Sequence, residues 1–279
     1  MTSVYSKQYL DCTTFNEFVN SNFDIPQLLK YDGLTTEQLN QWSKFPENAD
    51  VDPWFEYCNN TAGFRDSNIS ETVDICYYGC SFTYGTGVPV EKRWTNVLDQ
   101  LGGFTSNNFA GSGFSCEDMM YLFMASASVI SMNKAVFVFP DYFRYRFPIK
   151  VNNEVKYWML DAEYSDVWQN VSEYQHAGDT IYQLADEFWY DRFRKTVQTI
   201  CHIAKLKNID VYFSTWSTDI YNQLVNDIKY YSNATPLPKF IIDHRSRDSM
   251  KVNDGHSGVN PHKLFANQCL DAIKSINDL

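Results

Sequence analysis

The chain has 279 residues, 44% of them apolar and 16% aromatic, which is enough for one sizeable core and argues against a disordered chain. Lys and Arg number 23 against 34 Asp and Glu, a net charge of −11. That balance argues against a nucleic-acid partner, because phosphate contacts need a basic face.

In chain order, residues 1–70 read as an extension that packs on the main domain, with a helical patch at Thr36–Trp42 and the aromatic residues Trp54, Phe55, Tyr57 and Phe64. Asp74–Tyr78 is a short apolar run of strand type that stops at Gly79 and then presents Ser81. Trp94, Val97, Leu98 and Leu101 recur at helical spacing, so residues 91–101 form a helix ended by Gly102-Gly103. Asn107–Gly113 is a short strand running into a glycine-rich loop, and Ser115 or Cys116 opens the next helix. Ala135–Phe139 is a continuous apolar strand.

Residues 141–188 are aromatic and irregular and read as an insertion near the site. A helix follows over Phe188–Lys205, then a strand over Ile209–Ser214, a helix over Thr218–Tyr230, a last short strand over Lys239–Asp243, and a closing helix over Pro261–Ile276. Leu264, Phe265, Cys269, Leu270 and Ile273 lie on one face of that closing helix. Alternating strands and helices predict a three-layer α/β/α sandwich with a doubly wound, mainly parallel sheet of flavodoxin-like type, the main domain spanning residues 71–279.

The seven cysteines are odd in number and form no Cys-x-x-Cys pair, so they read as reduced thiols, with no disulfide framework and no zinc site. No metal or organic cofactor is expected. The N-terminus lacks the apolar core of a signal peptide, and no stretch approaches the roughly 18 apolar residues of a membrane span. A cytoplasmic protein is therefore expected, and a homo-oligomer is left open.

A strand ending in Gly-x-Ser puts a hydroxyl at the carboxyl end of a sheet, where open α/β folds build their sites. A serine becomes a good nucleophile when an imidazole takes its proton and a carboxylate orients that imidazole. Asp254 and His256 lie between the last strand and the last helix, and so fall on the same sheet edge as Ser81. His262 reads as a residue at the helix start that packs or caps.

Gly79-Cys80-Ser81-Phe82-Thr83-Tyr84-Gly85 resembles the first block of the SGNH, or GDSL-type, serine hydrolases, with cysteine where an aspartate usually stands. Asn108-Phe109-Ala110-Gly111-Ser112-Gly113 is similar to their second block, and Asp254-Gly255-His256 to their last, with one intervening residue where two are usual. The resemblance covers roughly residues 72–277. It implies Ser81 as nucleophile, His256 as base, Asp254 as orienter and the Gly113 N–H as an oxyanion donor. The third block usually carries Gly-x-Asn-Asp, but here the chain reads Pro140-Asp141-Tyr142-Phe143-Arg144. No asparagine is present to donate to the oxyanion, and Arg144 is the candidate substitute. The expected substrate is a small acyl ester or an acylated carbohydrate. The rival readings are an acyltransferase and a hydrolase-derived binding or structural protein such as a virion component.

Overall fold

The computed structural model describes residues 59–60, 62–142, 144–151, 154–160, 186–241 and 256–277. β1 (Thr72–Gly79) leads into a single-turn helix α1 (Ser81–Tyr84), a 3-10 turn (Val90–Lys92) and α2 (Trp94–Gly102). β2 (Ser106–Asn108), α3 (Cys116–Val129) and β3 (Ser131–Phe139) follow, and then a hairpin of β4 (Tyr145–Val151) and β5 (Glu154–Leu160). α4 (Asp186–Lys207), β6 (Asp210–Thr215), α5 (Thr218–Ile228), β7 (Ala234–Pro236) and α6 (Val259–Asn277) complete the described chain.

Five strands form one parallel sheet in the order β2-β1-β3-β6-β7. Counted along this sheet alone, that is the 2-1-3-4-5 order of flavodoxin-like folds, and the winding direction reverses between β1 and β3. The expected doubly wound sandwich is therefore the observed one. α2 and α6 pack together on one face, while α3, α4 and α5 pack on the other.

Alternation along β1 sends neighbouring tyrosines to opposite layers. Tyr77 meets Trp94 of α2 edge-on at 5.2 Å, whereas Tyr78 stacks on Phe137 at 4.7 Å and takes the edge of Phe123 from α3. Phe137 continues the rank to Phe213 of β6 at 5.4 Å. Cross-strand aromatic pairs of this kind hold register in a sheet buried on both faces.

Three expectations need correction. Among the described residues the last strand is Ala234–Pro236, and the described part of the expected strand, residues 239–241, is not in a strand. Pro236 and Pro238 lack the N–H that a longer ladder needs, so the chain continues past β7 with isolated bonds from Leu237 N–H to Phe213 O and from Phe240 N–H to Thr215 O. Residues 141–188 are not wholly irregular, since they contain the β4–β5 hairpin and the first turn of α4. Leu101 of α2 and Leu264 of α6 are exposed, and the buried stripe of α6 runs through Phe265, Ala266, Cys269, Leu270 and Ile273. Phe64 is buried, and the helical patch at 36–42 lies outside the described residues.

Candidate active site

Ser81 is the first residue of α1, directly beyond the carboxyl end of β1. That end lies beside β3, at the point where the winding reverses and open α/β sheets leave a crevice. Gly79 is required there by space. A methyl group on it would lie 2.0 Å from Thr83 Oγ1 and 2.4 Å from Thr83 Cβ. Gly85 closes the turn in the left-handed region at φ 82°, and its N–H bonds Ser81 O at 2.9 Å, as does that of Thr86. Ser81 keeps 6% of its surface exposed. Among the described residues, no hydrogen bond engages its hydroxyl.

The second block lies alongside the first. Gly111 N–H donates to Gly79 O at 3.2 Å, which sets the glycine loop against the strand end that carries Ser81. Gly113, two residues further on, has φ 78° with open space where a Cβ would stand. Asn108 is the buried hinge of this loop. Its Oδ1 accepts from Ala110 N–H at 2.9 Å, and its Nδ2 donates to Thr83 O at 3.2 Å and to Thr95 Oγ1 at 3.1 Å.

His256 comes from the opposite end of the chain. Its ring lies 5.2 Å from that of Phe82, the residue after Ser81, and Phe82 also touches Trp216 and Phe240. The glycine loop, through Gly111, and the His256 ring, through Phe82, thus both touch the segment that carries Ser81. Asp254 lies outside the described residues. Arg144 follows β3, where its N–H closes a turn onto Asp141 O at 3.0 Å. Its charge reaches the Cys116 thiol, whose pKa is pushed up mainly by burial.

Three charged groups of this region, Arg65, Asp66 and Arg93, had no role in the sequence reading. Arg65 is buried and donates to Gly85 O at 2.5 Å and Val88 O at 2.9 Å, just beyond the α1 turn. Arg93 donates to Arg65 O at 2.5 Å and pairs with Asp66 at 3.5 Å. Asp66 in turn accepts Asn108 N–H at 2.7 Å. Burial raises the Asp66 pKa against the pull of Arg93, and burial lowers that of Arg93 to about 10, so the guanidinium stays charged at neutral pH. The signal available in the sequence was a charged pair, Arg65-Asp66, directly after an apolar Phe64.

His262 does cap a helix, but not its own. Its Nδ1 accepts the N–H of Trp94, the first residue of α2, at 3.1 Å. Burial, helped by the charges of Arg93, His256 and Arg65, drives its pKa down to about 3, so the ring is neutral. With Nδ1 as acceptor, the proton sits on Nε2. The five described cysteines are free and buried, and burial pushes Cys76 and Cys201 up to about 12. Cys76 and Cys201 are therefore unreactive thiols. Among the described residues, no group of three His, Cys, Asp or Glu side chains could hold a metal ion, and no helix is long and apolar enough to cross a membrane.

No family model matches the sequence, and no curated protein matches it. The chain is similar to several solved structures. The esterase EstA of Pseudoalteromonas, in a structure inhibited by monoethylphosphonate, is 12% identical, covers 75% of this chain and 100% of its own, and has a TM-score of 0.47. TesA is 11% identical over 73% of this chain and 98% of its own, with a TM-score of 0.48. A GDSL-like lipase of Bacteroides thetaiotaomicron is 10% identical over 72% and 88% respectively, with a TM-score of 0.39.

Proposed function

We propose that the chain is a serine hydrolase of the SGNH type, acting on a small acyl ester or on an O-acyl group of a carbohydrate. One observation supports this reading: Ser81 follows the carboxyl end of β1 at the switch point, and the glycine loop and the His256 ring contact Gly79 and Phe82 on either side of it.

In this reading Ser81 Oγ attacks the ester carbonyl carbon while His256 takes the hydroxyl proton. Negative charge moves to the carbonyl oxygen, which the N–H groups of Ser81 and Gly113 stabilise. Collapse expels the alcohol, which leaves with the proton from His256, and an acyl-serine remains. Water, deprotonated by His256, then attacks the acyl carbon and releases the acid. Asp254 orients His256 and stabilises its charged form. Contact between serine and imidazole is often loose without substrate and tightens in the complex, which accommodates a Ser81 hydroxyl that no described residue bonds. Arg144 is the candidate third donor in place of the usual asparagine. An alcohol acceptor in place of water would make the same acyl-enzyme a transferase.

The test measures hydrolysis of a short-chain ester reporter, and labelling by a serine-directed fluorophosphonate, in wild type and Ser81→Ala. Wild type should turn over and take the label at Ser81. Ser81→Ala should lose at least about a thousandfold in rate and all labelling. Equal rates in the two proteins, or folded wild type that resists the probe, would overturn the reading in favour of a binding or structural protein.

A further inference from the structure

We propose that Arg65 and Asp66 are positioning residues that hold the turn bearing Ser81 and the loop bearing Gly113 at a fixed separation. The catalytic half of this proposal rests on the hydrolase reading above; the mechanical half does not.

A single helical turn is not stable alone, because nucleation orders several residues for one hydrogen bond. α1 is such a turn, and its exit is held from outside. The two arms of the Arg65 guanidinium span Gly85 O and Val88 O, a fork that a planar, five-donor group can make. From Arg65 a circuit of buried and half-buried bonds runs to the second block. Arg93 donates to Arg65 O and pairs with Asp66, Asp66 accepts Asn108 N–H, and Asn108 Nδ2 returns to Thr83 O inside α1. Both ends of the circuit thus lie on the Ser81 turn, and its middle lies at the root of the Gly113 loop.

Arg65 and Arg93 are each 1% exposed, and their charges are held in the interior by these carbonyls and by Asp66. Breaking one link leaves a buried charge poorly paired, and the segments on either side then shift. At such a site a misplacement of about 1 Å costs on the order of a hundredfold.

The test compares wild type with Arg65→Lys and Asp66→Asn, each shown to be folded by near-ultraviolet circular dichroism and assayed well below its melting temperature. Lysine keeps the buried positive charge but cannot span two carbonyls with a fork, so it carries the test where Asp66→Asn does not fold. Activity is read as kcat and KM on the ester reporter, together with the rate of fluorophosphonate labelling. Amide hydrogen exchange is read in residues 81–88 and 108–114. KM should stay within about twofold, while kcat and the labelling rate fall together by about tenfold or more. Exchange should quicken in both segments in either variant and stay unchanged in α4. Wild-type kcat and labelling in the folded variants would overturn the positioning role. Faster exchange confined to the segment that the altered residue touches would overturn the coupling. A wild type that neither hydrolyses the reporter nor takes the label overturns the hydrolase reading and the catalytic half with it, while exchange still decides the clamp.

Discussion

Gly79 and Gly113 are both glycines of the candidate site, for different reasons. At Gly79 the backbone is ordinary and the neighbouring side chain is the obstacle. An added methyl would sit 2.0 Å from Thr83 Oγ1, and Thr83 is fully buried and cannot move aside. Gly79→Ala should therefore lower stability by about 1–3 kcal/mol, the usual cost of overpacking, read as a drop in melting temperature. An unchanged melting temperature would show that the turn relaxes freely. At Gly113 there is room for a side chain, and only φ is costly.

His262 carries the clearest pH dependence. Its folded pKa, about 3, lies below the ordinary value of 6.5 because burial penalises the charged ring. The unfolded chain binds the proton first as pH falls. The contribution of His262 is thus fully present above about pH 6.5 and is lost towards pH 3, by up to about 1.4 kcal/mol per pH unit. Asp99 acts in the opposite sense. Burial raises its pKa from 3.8 to about 6, so its contribution is complete below about pH 3.8 and is lost as pH rises through about 6. Because the two oppose each other between about pH 4 and 6, the test is a difference. His262→Asn keeps an acceptor for Trp94 N–H but does not titrate. The gap in melting temperature between wild type and this variant should narrow from pH 7 to pH 5. A constant gap would show that His262 is not held neutral.

At the scale of the element, α3 shows how the glycine loop is anchored. Ser115 caps α3 reciprocally: its Oγ accepts Asp118 N–H at 3.2 Å, and Asp118 Oδ2 accepts Ser115 N–H at 2.9 Å. The box begins two residues after Gly113, so the loop enters a helix of fixed start. Ser115→Ala should cost about 1 kcal/mol, measured as a lower midpoint in urea with an unchanged slope. A wild-type midpoint would mean that the cap is dispensable. The helices α3, α4 and α6 were legible from periodicity, since each buries a clear apolar set, whereas the β4–β5 hairpin was not. Two readings failed for local reasons. The β7 reading followed the apolar run Phe240-Ile241-Ile242 and underrated the prolines before it. Leu264 fitted the apolar face by its chemistry, yet the packing of α6 on α2 leaves it outside.

At the scale of the whole molecule, the alternation of strands and helices determined the class of fold, because parallel strands need crossover helices and those crossovers are right-handed. Local chemistry likewise marked Ser81, Gly113 and His256. A glycine before a serine, a glycine loop after a strand, and a histidine before the last helix are each readable within a few residues. Tertiary structure alone decided the strand order, and so put Ser81 at the switch point. It alone turned His262 into a cap for α2, across 168 residues of chain. It alone also turned Arg65 and Asp66 from the tail of an extension into the brace of two loops. The reason is physical. Periodicity and turn chemistry are properties of neighbouring residues, whereas a buried charge finds its partners only among segments that the finished fold brings together.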